Sequence, residues 1–186
     1  MNIKGNQPMQ WLKFNINNLT EPIYEKYFFL MSKERQEYVN SLKNESDRKR
    51  TVAGEMLIKT AICDDEAKIL KDSCGKPYIK NSNLHISIGH SGDFAVCAIS
   101  EKPIGIDIEK SRDIRLETAK KFCNEEELKY INECDNQNRF FEIWTAKEAA
   151  YKMSGGSIKN FKVIDTLKLN KKHFKFNDYT VCVVTE

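Results

Sequence analysis

Apolar and polar side chains alternate from Met9 to Ile16, the period of a strand with one covered face. From Ile23 to Leu42 and from Asp47 to Ile62 the pattern is helical, with Asp47 as the expected N-cap of the second helix. Ser73-Cys-Gly-Lys-Pro-Tyr-Ile79 reads as a turn entering an extended segment. His85 to Ile88 and Phe94 to Ile99 read as strands, and Pro103 opens another, Ile104 to Ile108. Ile114 to Phe122 and Glu125 to Ile131 are predicted helical. A longer helix runs from Asn138 to Met153 and stops at Gly155-Gly156. The tail, Phe161 to Thr185, reads as strands.

The pattern repeats. Gly92-Asp-Phe-Ala-Val-Cys-Ala-Ile-Ser100 and Asn177-Asp-Tyr-Thr-Val-Cys-Val-Val-Thr185 share three identical positions and are close in type elsewhere. Ala53-Gly-Glu55-Met-Leu-Ile-Lys59 and Ala146-Lys-Glu148-Ala-Ala-Tyr-Lys152 share A-x-E-x-x-x-K, and each precedes its strand copy. The expectation is an α+β fold of two similar α/β lobes related by a pseudo-twofold axis. The boundary at Glu101-Lys102-Pro103 would make residues 1–102 the N-terminal lobe and 103–186 the C-terminal lobe.

Composition narrows the class. With 186 residues, 40% hydrophobic and 31% charged, the chain reads as soluble and globular. A net charge of +3 is too small to argue for nucleic acid. Met1 to Gln7 carries no long apolar core, and no run approaches a membrane span, so the expected setting is cytoplasmic. Cysteines 63, 74, 97, 123, 134 and 182 form no C-x-x-C pair and read as reduced, mostly buried thiols.

Chemistry concentrates in a few places. In Ile104-Gly-Ile-Asp107-Ile-Glu109-Lys, strand alternation puts the isoleucines on one face and Asp107 and Glu109 on the other. Adjacent carboxylates repel unless a cation separates them, and Mg²⁺ takes such oxygens together with substrate phosphates. A solvated strand face would explain this pair alone. On the helix, Trp144, Glu148 and Lys152 share a face at four-residue spacing, with Lys147 and Tyr151 beside it. An ordinary Glu–Lys pair would explain those charges alone. Three further places suit phosphate: Lys76 on the turn before Pro77, His90 between Gly89 and Gly92, and Arg48-Lys49-Arg50-Thr51 at a helix start.

Taken in order, Gly75-Lys76-Pro77, Ile86-Ser-Ile-Gly-His90-Ser91-Gly, Ile104-Gly-Ile-Asp107-Ile-Glu109-Lys and Phe140 to Lys152 resemble the 4′-phosphopantetheinyl transferases of the surfactin-synthetase-activating type. The resemblance runs from about residue 30 to the C-terminus. It implies two similar α/β lobes with the active site at their junction, Mg²⁺ held by Asp107, Glu109 and Glu148, and coenzyme A as substrate. Lys152 would contact the transferred phosphate, and Glu148 would also serve as base. Lys76, His90 and Arg50 or Thr51 would hold the 3′-phosphate and adenine end, with Lys147 and Arg35 as further phosphate contacts. The sequence departs from the family's pattern at Gly89, where serine is usual, and at Tyr38, where a basic residue is usual. The implied partner is an apo acyl or peptidyl carrier protein, met by residues 111–124, where Arg112, Arg115, Lys120 and Lys121 lie among Ile114, Leu116 and Phe122. The expectation is a monomer with no nucleic-acid or membrane partner. A Mg²⁺-dependent phosphohydrolase and a non-catalytic coenzyme A- or carrier-binding scaffold are the rivals.

Overall fold

The computed structural model describes residues 9–133 and 136–186, apart from the side chains of Leu116 and Asn136. The expectations for Met1 to Gln7 and for Cys134 lie outside the described residues. Strands β1 (Gln10–Asn15), β4 (His85–Ser91) and β5 (Phe94–Ser100) form one antiparallel sheet in the order β1-β5-β4. Strands β6 (Ile104–Lys110), β7 (Lys171–Phe176) and β8 (Tyr179–Thr185) form another, β6-β8-β7. A short ribbon pairs β2 (Ile69–Lys71) with β3 (Pro77–Ile79). The architecture is mixed α/β.

Alternation along the central strands explains the layering. In β5, Ala95, Cys97 and Ile99 pack in one cluster with Val52, Ala53 and Met56 of helix α3 (Glu45–Ile62). Val96 and Ala98 point the other way and meet Ile104, Ile106 and Ile108 of β6 and Val181 and Val183 of β8. The opposite face of β8, Cys182 and Val184, receives Ala146, Ala149 and Ala150 of helix α6 (Asn136–Met153). The order of layers is therefore helix, sheet, sheet, helix, with both strands that copy one another at the centres of their sheets.

Two contacts set the position of the acidic strand. A Cβ on Gly105 would stand 1.8 Å from the Ala149 carbonyl oxygen, so only glycine lets α6 settle this closely on β6. Beside it, β4 and β6 are joined by side chains: Ser87 Oγ accepts from Ile106 N–H at 3.1 Å and Ser91 Oγ from Lys110 N–H at 3.1 Å. Gly89 lies between these serines, where a Cβ would meet Val96 Cγ2 at 3.1 Å and Asp107 Cα at 3.3 Å. Its departure from serine thus accompanies a close strand approach.

Several predicted elements change on folding. The helix expected over 23–42 is divided into α1 (Glu21–Phe29) and α2 (Lys33–Ser41). Ser32 restarts it, its hydroxyl accepting from Arg35 N–H at 3.3 Å, which puts Arg35 in the first turn of α2. Helix α3 begins at Glu45 behind Asn44, so Asp47 is a first-turn residue rather than the N-cap, and it engages Arg50 instead. Of the segment 114–122 only Leu116–Ala119 is helical (α4), followed by α5 (Glu125–Glu133). The tail is not all strand: Phe161–Val163 and Thr166–Lys168 are short 3₁₀ turns before β7. Cys97, Cys123 and Cys182 are buried thiols, while Cys63 and Cys74 are exposed. Among the described residues no helix is long and apolar enough to cross a membrane.

Candidate active site

Strand parity carries through to the site. Ile104, Ile106 and Ile108 face the inter-sheet core, and so Asp107 and Glu109 share the α6 side of β6. Helix α6 answers with the face anticipated from its spacing. Lys152 Nζ donates to Asp107 Oδ1 at 2.6 Å, and Trp144 Nε1 donates to Glu109 Oε1 at 3.1 Å. Glu148 lies between them on the helix. Glu109 Oε2 accepts from Ser91 Oγ at 3.1 Å and stands 3.6 Å from Arg112 Nη1.

The electrostatics of this cluster are those of a site short of positive charge. Burial pushes the Asp107 carboxyl up to about 6 against the pull of Lys152, with Glu109 adding repulsion. Glu148 is raised for the same reasons, burial first and then the Asp107 charge. Asp107 Oδ2 is buried and has no hydrogen-bond partner. The expected metal set is nevertheless not assembled as a cage: among the described residues no three His, Cys, Asp or Glu side chains are grouped so as to hold an ion. Asp107 is instead paired to Lys152, and Glu109 to Trp144 and Ser91. The orphaned Asp107 oxygen and the two raised carboxyls still fit a hard cation, since Mg²⁺ is commonly held by one or two carboxylates with water and phosphate completing its shell.

A cleft of about 260 Å³ meets this cluster at Lys152, without being lined by Asp107, Glu109 or Glu148, and gathers most of the expected phosphate contacts. Arg35 of α2, Arg50 and Thr51 of α3, Lys76 before β3, His90 of β4 and Lys152 of α6 all line it. Arg50 is held by the Gly92 carbonyl at 2.6 Å and by Asp47, and Thr51 Oγ1 donates to the Asp47 carbonyl at 2.9 Å. The turn carrying Lys76 is built by Asp72, whose Oδ1 accepts from Cys74 N–H and Lys76 N–H, each at 2.9 Å, with Gly75 at φ +85°. Lys76 Nζ reaches the Met153 carbonyl at 2.7 Å and so ties this turn to the end of α6. Burial lowers the Lys76 pKa. His90 lies at the open rim, yet desolvation on its protein side, with the Lys152 and Arg50 charges, holds its imidazole below the ordinary value.

Lys147, expected to contact phosphate, does not reach the cleft. Its side chain is wholly buried, on the side of α6 away from the cleft. Its ammonium donates to the Phe161 carbonyl at 2.8 Å and the Ile164 carbonyl at 2.6 Å and pairs with Glu127 Oε2 at 2.8 Å. An ammonium has three N–H donors, and these partners use all of them, leaving none for phosphate.

Residues not anticipated also line the cleft. Glu55 is buried, with Oε2 lacking a hydrogen-bond partner and Arg35 Nε 3.9 Å away; burial pushes its carboxyl up to about 7. Lys71 of β2 places its ammonium 5.2 Å from the Tyr38 ring centre, and the Arg35 guanidinium lies at the same distance from that ring. Tyr151 and the Gly155-Gly156 backbone complete the wall beside Lys152. Glu55 had one signal in the sequence: it is the counterpart of Glu148 in the repeated A-x-E-x-x-x-K. Lys71 had none.

Residues 103–182, which include the acidic strand and all of α6, match the family model of the 4′-phosphopantetheinyl transferase superfamily. The chain is 30% identical over 147 residues to the 4′-phosphopantetheinyl transferase Sfp of Bacillus subtilis, covering 74% of this chain and 66% of that protein. It is 33% identical over 134 residues to the transferase gsp of Aneurinibacillus migulanus, covering 67% and 56%. With another Bacillus subtilis 4′-phosphopantetheinyl transferase it shares 36% over 135 residues, covering 67% and 60%. The chain thus spans less than two thirds of the length of each of these relatives. On these matches the chain belongs to the 4′-phosphopantetheinyl transferase superfamily and resembles its Sfp-type members.

Proposed function

We propose that the chain transfers the 4′-phosphopantetheine arm of coenzyme A to a serine of an apo acyl or peptidyl carrier protein, with Mg²⁺ as metal and 3′,5′-ADP as leaving product. The observation that carries this reading is the cleft lined together by Arg35, Arg50, Thr51, Lys76, His90 and Lys152, the last of which is paired with the buried Asp107 carboxylate. Coenzyme A has phosphate at two separated places, its 3′ ester and its pyrophosphate, and the cleft is lined by the cations Arg35, Arg50, Lys71, Lys76 and Lys152. Lys76, His90, Arg50, Thr51 and Arg35 take the 3′-phosphate and adenine end. Lys152 takes the phosphate that moves.

In the reaction the carrier serine oxygen forms a bond to the β-phosphorus while the bond from that phosphorus to the oxygen of 3′,5′-ADP breaks. Lys152 neutralises charge gathering on the non-bridging oxygens. Glu148, whose carboxyl is raised by burial and by Asp107, accepts the serine proton directly or through a water. Asp107, Glu109 and Glu148 are the residues that would hold Mg²⁺, which when bound supplies charge neutralisation on the pyrophosphate. In the same reading residues 1–102 and 103–186 are two lobes related by a pseudo-twofold axis, and the protein works as a cytoplasmic monomer without nucleic-acid or membrane partners.

The test is incubation with coenzyme A, Mg²⁺ and a panel of apo-carrier proteins, followed by intact-mass measurement. The expected result is a carrier heavier by one phosphopantetheine. Release of 3′,5′-ADP with no carrier present, and no modified carrier, would replace transfer with hydrolysis.

A further inference from the structure

The segment from Lys159 to Lys168 is anchored from below and apolar on top. Beneath it, Lys147 holds the Phe161 and Ile164 carbonyls. Glu127 Oε1 accepts from Thr166 N–H at 3.0 Å and from Thr166 Oγ1 at 2.7 Å, and Lys171 donates to the Thr166 carbonyl. Ile164 and Thr166 are buried. Yet Val163 is 71% exposed and Leu167 46% exposed. Lys159 and Lys162 are exposed beside them, and neither is paired to a carboxylate among the described residues; Lys168 is paired to Asp165 at 2.8 Å.

The position is as informative as the surface. Phe161 packs on Trp144 at 5.7 Å and on Tyr151 at 5.5 Å between ring centres, and these α6 residues flank Glu148 in sequence. Trp144 in turn meets Phe122 at 4.5 Å, so the basic strip at 111–124 and the 159–168 segment adjoin across one indole. Apolar side chains on a base fixed by buried hydrogen bonds lose little freedom when a partner covers them. Exposed lysines around an apolar patch select an acidic partner. A second copy of this chain is disfavoured as occupant, because a twofold contact would set this basic face against itself.

We infer that Lys159–Lys168 is a docking face for the protein acceptor, an acidic surface with an apolar patch, and that Val163 and Leu167 enter that patch. This rests on the transfer reading above. The test compares the chain with V163D/L167D and with K159E/K162E, using an apo-carrier that the wild-type chain modifies. Both variants should keep the wild-type circular dichroism and melting temperature and the wild-type KM for coenzyme A, while the KM for the carrier rises about tenfold or more. An unchanged carrier KM in both variants would overturn the docking face and leave the transfer reading standing. A wild-type chain that modifies no carrier overturns the reading and this inference with it. A wild-type dimer in light scattering that V163D/L167D dissociates would assign the face to a second copy and overturn the proposal.

Discussion

Lys152 Nζ stands 2.6 Å from Asp107 Oδ1, and the other oxygen of that carboxylate has no hydrogen-bond partner. The lysine is therefore the main local compensation for a buried charge. Lys152→Ala should cost about 2–3 kcal/mol of stability at pH 8, because removing one partner strands the other. The loss should shrink near pH 5, where Asp107, already raised to about 6 beside Lys152, can fold protonated. Added Mg²⁺ should recover part of the pH 8 loss by taking the place of the ammonium against Asp107. Chemical denaturation at both pH values, with Mg²⁺ or with chelator, measures each effect. Equal losses at both pH values would show that Asp107 is not the group left stranded.

Glu148 shares the α6 face with Lys152 and has a raised carboxyl. Glu148→Gln keeps the shape and removes both the charge and the proton acceptor. Turnover should fall by roughly a hundredfold or more, with the KM for coenzyme A little changed. Wild-type turnover at saturating Mg²⁺ would remove Glu148 from both of its roles.

Lys71 and Arg35 approach one tyrosine ring, and the α2 position one helical turn after Arg35 carries Tyr38 rather than a second cation. Lys71, whose pKa is lowered by desolvation and by Arg35, brings a cation to that ring from a different element. Lys71→Ala should raise the KM for coenzyme A roughly fivefold, a loss of about 1 kcal/mol, and leave the carrier KM alone. Steady-state kinetics varying each substrate in turn would separate this from a general loss of activity.

Glu55 gives a pH signature. Its folded pKa is about 7 against an ordinary 4.5, with burial as the main cause. A raised carboxyl favours the folded state fully below its unfolded pKa, and that contribution is lost as pH rises through the folded value. Between pH 4.5 and 7 the wild type should therefore lose up to about 3 kcal/mol that Glu55→Gln does not lose. Urea unfolding of both chains at pH 5 and pH 8 should show the variant gaining on the wild type at the higher pH. Parallel curves would mean that Glu55 is ionised at little cost in the fold.

Much of the site was legible because it follows local periods. Two-residue alternation separated Ile104, Ile106 and Ile108 from Asp107 and Glu109, and four-residue spacing put Trp144, Glu148 and Lys152 together. The structure joins those two sets directly. What was not legible depends on partners remote in sequence. The break between α1 and α2 lies within a pattern that continues on both sides, and only the Ser32 cap marks it. Lys71 gains meaning only when the β2–β3 ribbon brings it to Tyr38. The spacing of the expected metal ligands likewise cannot say that Lys152 pairs with one Asp107 oxygen and that Trp144 and Ser91 hold the two of Glu109.

Lys147 is the sharpest case of this kind. It adjoins Glu148 in sequence, yet one helical step turns it about 100° away, from the cleft into the interior. There it meets Glu127, twenty residues earlier, with both side chains fully buried. Glu127 is saturated as well: Oε2 also accepts from Asn124 N–H at 2.9 Å, and Oε1 takes both Thr166 donors. Lys147→Met should therefore destabilise the protein by about 3–5 kcal/mol, since it leaves a buried carboxylate without its counter-charge. Adding Glu127→Gln should return part of that loss, because the amide carries no charge and its oxygen can still accept from Thr166. At a temperature where Lys147→Met remains folded, its KM for coenzyme A should match the wild type, whereas its carrier KM should rise as the 161–166 segment loosens. A raised coenzyme A KM with unchanged stability would put Lys147 back among the phosphate contacts.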